Sequence, residues 1–384
     1  MRDKLSEPLE LVPPIEVKDG PLMENVHTGD EVDLFEFPTP KWLPGDGGRY
    51  IGTGDTVITR DPDEGWVNVG CYRVQIQDKR TATIHFTTGK HGDMIRRKYW
   101  AKGQSCPAVV TCGGDPLLVE IAGTRIPWGV SEYDWVGWWR KKPLEVIKGP
   151  LTGLPIPAST EIALEGEMVP YEVDSRIEGP FAEWTGHYSP AKPEASFRVK
   201  SILHRDNPII LGYLAYLGYG LLPRTQNMLR AAGVWSTLDK TVPGVKGVWL
   251  SLDIGERALV VSIEQKYSGH AKQVAVAALG HHSFDLKYII VVDEDIDPSD
   301  TRAVLFALAL RANPEEFDII RNSWCSSLDP LLSPQKKEMK DITTSVALIT
   351  ACKPFHWIKD FPPLIKIPPE LQARVNDKWG RLLE

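Results

Sequence analysis

The chain has 384 residues, enough for more than one hydrophobic core, and a formal net charge of −7 with a pI near 5.8. Two domains are the expected arrangement at this length. This acidic balance gives no electrostatic footprint for nucleic acid, whose binding relies on clustered Lys and Arg, and argues against it as a partner.

The N-terminus, MRDKLSEPLELVPP, has no apolar run of the secretory kind, and its prolines oppose an amphipathic targeting helix, so a cytoplasmic location is expected. Cys71, Cys106, Cys112, Cys325 and Cys352 are odd in number, scattered and without a CxxC pair, which fits reduced thiols rather than a disulfide framework. From about Asn25 to Tyr188 the sequence runs as short alternating segments between Gly, Pro and Asp clusters, among them WVNVGCYRVQIQ, TATIHFTT and PAVVTCGG. Strands at such spacing predict a β-rich, barrel-like or split-barrel domain. Gly45 to Gly54 is glycine-rich but lacks the strand-turn-helix context of a dinucleotide fingerprint, so no phosphate loop is expected there.

The densest constellation is Asp61-Pro62 followed by Trp66 to Arg73. Strand alternation places Asn68, Gly70 and Tyr72 on one face and Val69, Cys71 and Arg73 on the other, which turns Arg73 inward with Val69. An inward Arg needs an anion, either a structural carboxylate or a ligand. Next come Gly89-Lys90-His91-Gly92 and PWGVSEYDWVGWW, which contains Glu132. An amide, an imidazole and a carboxylate suit Mn²⁺ or Mg²⁺, although Asn68, His91 and Glu132 have no recognisable ligand spacing. Glu161, Glu165 and Glu167 are followed by Glu178-Gly-Pro-Phe-Ala-Glu183. Two carboxylates flanking a Gly-Pro turn are buried together only if a cation lies between them or one is protonated; exposed glutamates on an ordinary loop are the alternative.

The apolar stretch Ile209 to Leu222 is too short to span a bilayer, and no membrane partner is expected. From about Lys200 the pattern changes: GVWLSLDI and YIIVVDEDID are strand-like, while SGHAKQVAVAALGHH and DTRAVLFALALRA carry apolar residues at helical spacing. The reading is a mixed α+β protein, with a domain of residues 1–192 and an α/β domain of 193–384, joined at the proline-rich segment Pro190 to Glu194. The run Asp293 to Asp297 ends a buried strand and reads as a solvated loop or a metal site. His281 and His282 close a helical run, where the helix C-terminus favours them. PPELQARVNDKWGRLLE begins with prolines and continues as an amphipathic helix that either docks a partner subunit or packs on its own domain.

DLFEFPTPKW, GDGGRYIGTG, DPDEGWVNVGCYR, GVSEYDWVG, LPIPASTEIALEGE, EGPFAEWTGHY, FRVKSILHRDNPI and VVDEDID occur in an order that resembles the UbiD family of decarboxylases over most of the chain. The resemblance implies a split-barrel domain that binds prenylated FMN and a second α/β domain with a C-terminal dimerisation helix. It makes Asn68, His91 and Glu132 the ligands of a divalent ion, usually Mn²⁺, that grips the flavin phosphate, often with K⁺ nearby. It places Cys71, Tyr72, Arg73 and Lys90 against the cofactor, and His281 where some members carry a cofactor-contacting Lys. Trp184 and Thr225 to Leu229 fall on the substrate pocket.

The implied catalytic residues are Arg73, Glu178 and Glu183, with Arg73 orienting the substrate carboxylate and Glu183 donating the proton. Ala182 replaces the family's usual Gly, a change that stiffens the loop. The implied reaction is reversible decarboxylation of an aromatic, heteroaromatic or α,β-unsaturated acid, with a flavin prenyltransferase supplying the cofactor and a homodimer or higher homo-oligomer as the assembly. Loss of CO₂ from an sp² carbon leaves a carbanion that no side chain delocalises, so an organic electron sink is required. Family members usually carry an additional N-terminal portion before the first of these motifs. A short form, or one completed by another polypeptide, is therefore expected, and a non-catalytic scaffolding subunit of a multi-component carboxylase is the alternative reading.

Overall fold

A computed structural model describes residues 1–384 apart from 215–220, 282–284, 364, 366, 383 and 384, and apart from the side chains of 221–223 and 381. His282 and part of the Ile209 to Leu222 stretch lie outside the described residues. The first domain is built on a sheet of ten strands. Their order is Tyr50–Gly52, Val74–Ile76, Thr81–Ile84, Lys192–His204, Ile162–Met168, Cys106–Cys112, Asp55–Arg60 and Val67–Gly70, with Ser175–Glu178 and Asn25–Thr28 also paired to the long Lys192–His204 strand. Its hydrogen-bonded pairs are antiparallel.

Adjacent residues of these strands point to opposite faces, and both faces are buried. Ile51, Val57, Val110, Leu164, Phe197 and Ile202 meet in one core. Ile58, Val109, Ala163 and Leu203 instead meet Leu118 and Ile121 of the helix Pro116–Ala122 and Tyr133 and Val136 of the helix Glu132–Arg140. Residues from strands far apart in the pairing order share the first core, so the sheet curls around it. Among the described residues no ladder joins its outer strands, and the domain is a curled open sheet rather than a closed barrel.

A boundary at 192/193 is not where the domains part. Lys192–His204 is the most heavily paired strand of the first sheet. The prolines at 190 and 193 mark the turn into that strand and its first residues, positions where the missing N–H is tolerated. The second core begins with the helix Leu221–Thr241. Its Leu229 still packs on the first domain, whereas Ala231, Val234 and Leu238 pack on the second. The N-terminal helix Arg2–Ser6 lies along it, with Arg2 over Trp235 and Ser6 hydrogen-bonded to Ser236.

The second sheet has the order Val245–Ser251, Ala258–Ile263, Tyr288–Asp293, Thr343–Ala351, Asp318–Trp324. Its central pairs are parallel and its outer pairs antiparallel. The runs ALVVSI and YIIVVD are mostly apolar because parallel strands are covered on both faces. The helix His270–His281 covers one face and Thr301–Arg311 the other. In the acidic run, Arg311 bridges Asp293 and Asp295, and Lys353 also holds Asp295, so fixed cations neutralise these carboxylates. The C-terminal helix forms over Pro369–Trp379 with no buried residue, and its Leu371, Val375 and Trp379 are exposed at helical spacing. Among the described residues no helix is long and apolar enough to cross a membrane.

Candidate functional site

The strand Val67–Gly70 ends because the next residues fold back on it: a Cβ on Gly70 would lie 2.3 Å from the ring of Tyr72. The alternation expected to run to Arg73 therefore stops at Gly70. Val69 faces the helices, Tyr72 joins the core enclosed by the sheet, and Arg73 enters a buried polar cluster. Arg73 Nε and Nη2 donate to the two oxygens of Glu178 at 2.7 and 2.8 Å, a bidentate pair, and Nη1 donates to Glu183. Nη2 also donates to Ser189 Oγ at 3.1 Å, and the guanidinium lies over the Phe181 ring.

The two acids flank a turn supported from below. Tyr50 Oη donates to Glu178 at 3.0 Å. Gln75 Oε1 accepts the Gly179 N–H, and Pro180 O accepts the Gly47 N–H at 2.7 Å. The glycine-rich loop packs directly against this turn. Its glycines permit close packing, since a Cβ on Gly47 would stand 1.9 Å from the Gly179 carbonyl oxygen. After the turn, Phe181–Ala182 pairs with Tyr188–Ser189, the Ala182 N–H donates to buried Asp46, and the Glu183 N–H donates to His187 O. Ala182, 3% exposed, thus sits in a two-stranded ribbon of fixed geometry. Burial pushes the Glu183 carboxyl above its ordinary range, Arg73 opposes that shift, and the neighbouring Glu178 adds to it.

On the other side of the same strand, Asn68 and Glu132 are both buried. Ser131 caps the helix Glu132–Arg140 and places Glu132 at its first position, where its oxygens accept Asn68 Nδ2 at 3.0 Å and the Val69 N–H at 2.7 Å. Asn68 Oδ1 is buried without a hydrogen-bond partner. Burial raises the Glu132 carboxyl to about 7. His91 opens the helix His91–Ala101, its ring 5.6 Å from that of Trp66 and 5.2 Å from that of Trp128. Burial and Lys90 lower its pKa and favour the neutral imidazole. The orphaned Asn68 amide oxygen and the desolvated Glu132 carboxylate lie side by side, and these two and the neutral His91 imidazole are each of a type that suits a divalent cation.

A cavity of about 200 Å³ is lined by Cys71, Tyr72, Arg73, Lys90 and Glu183, all expected at the site. Thr53, His85, Thr87, Phe181 and Tyr213 complete the wall. The Tyr213 N–H donates to Thr53 Oγ1 at 2.8 Å, which brings residues 160 positions apart together. His85 stands 3.4 Å from Glu194 and 3.8 Å from Glu178, and desolvation lowers its pKa. Desolvation, Arg125 and Arg230 likewise lower that of Lys90, which precedes the N-terminus of the His91 helix at the cavity wall.

Three expectations fall elsewhere. His281 ends its helix on an exposed turn and does not line the cavity. Trp184 lines a second cavity, where Arg257 lies 5.2 Å over its ring and is paired with Asp285 and Asp329. Thr225 to Leu229 belongs to the helix Leu221–Thr241, with Asn227 and Leu229 buried, and lines neither cavity. Glu165 and Glu161 have structural roles: Glu165 accepts from Thr152 and the Leu151 N–H, and Glu161 accepts the Ile209 N–H.

Residues 15–217 match the model of the UbiD 3-octaprenyl-4-hydroxybenzoate carboxy-lyase Rift-related domain, and residues 225–351 match the C-terminal domain of that carboxy-lyase. A phenolic acid decarboxylase of a Streptomyces species is 31% identical over 354 residues, covering 88% of this chain and 72% of that protein. A pyrrole-2-carboxylic acid decarboxylase of Pseudomonas aeruginosa is 32% identical over 319 residues, covering 79% and 63%. The structure of the UbiD-class enzyme HmfF from Pelotomaculum thermopropionicum in complex with FMN superposes with a TM-score of 0.86 at 28% identity, covering 97% of this chain and 82% of that one. An evolved dimeric form of HmfF in complex with prFMN gives a TM-score of 0.82 at 26% identity, covering 98% and 81%.

Proposed function

Since the chain belongs to the UbiD family and is a carboxy-lyase of that type, we propose that it carries out prenylated-FMN-dependent, reversible decarboxylation of an aromatic, heteroaromatic or α,β-unsaturated acid in the Arg73 cavity. The observation that carries the proposal is a buried guanidinium held between Glu178 and Glu183 in the wall of that cavity. The bound prenylated flavin supplies the electron sink that decarboxylation at an sp² carbon requires.

Asn68, His91 and Glu132 would hold the divalent ion, Mn²⁺ or Mg²⁺, with K⁺ as a companion. Lys90 and the N-terminus of the His91 helix would meet the flavin phosphate, since backbone N–H groups and the helix dipole favour an anion there. Arg73 orients the substrate carboxylate through the Nη1 N–H that Glu178, Glu183 and Ser189 leave free. Glu178 keeps the guanidinium in place from the side away from the cavity. Glu183, whose pKa is raised, holds its proton at the carboxyl oxygen and delivers it to the carbon that loses CO₂. Tyr72, Cys71 and Phe181 exclude water. A flavin prenyltransferase would supply the cofactor, and the exposed apolar face of Pro369–Trp379 suits a homo-oligomer.

The proposal is tested by co-expressing the chain with a flavin prenyltransferase, recording absorption and metal content, and screening aromatic and α,β-unsaturated acids for CO₂ release. A colourless, inert protein would point to a scaffolding subunit instead. Glu132→Ala is expected to lose both metal and flavin absorbance, because the substitution removes a ligand and leaves the Val69 N–H and the Asn68 amide unpaired. Metal analysis and the visible spectrum of the purified variant check it. Substitutions around metal sites cost about 10–100-fold in affinity even at supporting positions, and a ligand costs more.

A further inference from the structure

Away from the cavity, three side chains converge with lone pairs facing one another. His27 lies on the strand Asn25–Thr28, and His204 ends the strand Lys192–His204. The register pairs His27 with Ile202, so His204, two residues on, projects from the same face as a diagonal neighbour. The two rings meet edge-on with centroids 5.1 Å apart. Glu36, at the end of the helical turn Leu34–Glu36, reaches over both. One of its oxygens is 3.2 Å from His27 Nδ1 and the other 3.7 Å from His204 Nε2, and the ligand atoms of all three residues lie within 4.8 Å of one another.

Both ring nitrogens are buried, and neither makes a hydrogen bond. The tautomer of His204 follows from its other nitrogen: Nδ1 is 2.9 Å from the Arg205 carbonyl oxygen, so it carries the hydrogen, and Nε2 of the neutral ring presents a lone pair. A lone pair opposite a carboxylate oxygen is repulsive unless a metal ion or a proton lies between them. A backbone carbonyl behind the imidazole is also the arrangement that orients metal-bound histidines. For bonds of about 2.0–2.1 Å the edge of a ligand tetrahedron is about 3.3 Å; the 3.2 Å between His27 Nδ1 and its Glu36 oxygen is close to that length, and the three ligand atoms lie within 4.8 Å of one another. Glu36 and His27 remain partly exposed, which leaves one coordination position open to water.

We propose that His27, Glu36 and His204 form a zinc(II) site with water as the fourth ligand, separate from Asn68, His91 and Glu132. The metal fastens the strand Asn25–Thr28 and the turn Leu34–Glu36 to the most heavily paired strand of the first sheet. After His204 the chain continues to Tyr213, a wall of the cavity. The ion thus acts as a structural clasp on the segment that leads to the cavity.

The test uses the full chain, stripped of metal, and ZnCl₂ in equilibrium dialysis with metal analysis. Glu132→Ala serves as the background in which the other candidate metal site is disabled. That background is expected to bind one zinc equivalent, and adding His204→Gln or Glu36→Gln is expected to remove it. Zinc should raise the Tm of the Glu132→Ala protein and leave the double variants unchanged. His27→Asn, checked by circular dichroism, provides a third arm should another variant fail to fold. Equal zinc stoichiometry in the background and in the folded double variants would overturn the proposal. It would also be overturned by a background that binds no zinc, which would leave protonated imidazoles paired with Glu36.

Discussion

Glu183→Gln is expected to abolish turnover while leaving the flavin bound. The substitution keeps the shape of the side chain, and its carbonyl oxygen still accepts from Arg73, so the cluster is preserved. The transferable proton is lost. General acid catalysis contributes roughly 10²–10⁴-fold, and a fall in kcat of that order with unchanged flavin absorbance is the expected reading. The pH profile provides a second check. Burial raises the Glu183 carboxyl and Glu178 adds to the shift, with Arg73 opposing. A proton donor works in its protonated form, so kcat should be high below the raised pKa and fall as pH rises through it. The stability contributed by this protonation has the same sign: it is fully present below the ordinary glutamate value and lost as pH rises through the folded value. Equal kcat in the wild type and Glu183→Gln would show that another group delivers the proton.

Arg73→Met is expected to lose activity and, separately, to destabilise the first domain. Two buried acids share this guanidinium, and Glu178 is fully buried. Removing one member of a buried ion pair costs about 3–5 kcal/mol, because the remaining charge is left uncompensated. Urea unfolding of the metal-loaded protein measures it. Adding Glu178→Gln to Arg73→Met should recover part of the stability and none of the activity, since the amide needs no counter-charge while the substrate carboxylate still lacks its partner. Arg73→Lys restores a charge without the fork and is expected to recover more stability than rate. A Lys variant with wild-type kcat/KM would show that the guanidinium is not what orients the substrate.

The parts of this arrangement that the sequence discloses are those written in short phrases. VNVGCYR sets Asn68 in the strand Val67–Gly70 and Arg73 just beyond its end, and EGPFAE sets Glu178 and Glu183 on one turn. Both the curled sheet and the α/β half follow from hydrophobic periodicity. The wall formed by Thr53, His85 and Tyr213 does not, because these residues come from three segments whose approach is decided by strand order in the sheet. The domain boundary is misplaced for a related reason: prolines signal an interruption of hydrogen bonding, and here the interruption precedes a strand rather than ends a domain. Trp184 is adjacent to Glu183 in the chain, yet the ribbon turn sends it to Arg257, so these neighbours in sequence line different cavities.

The loop Gly45 to Gly48 contributes no side chain to the cavity, yet it has little freedom to change. Gly47 sits so close to the carbonyl that precedes Pro180 that a single methyl group there would displace the turn carrying both acids. Tolerance to substitution should therefore be as low at this featureless position as at the carboxylates themselves, and a saturation scan would record as an activity defect what is in origin a matter of room.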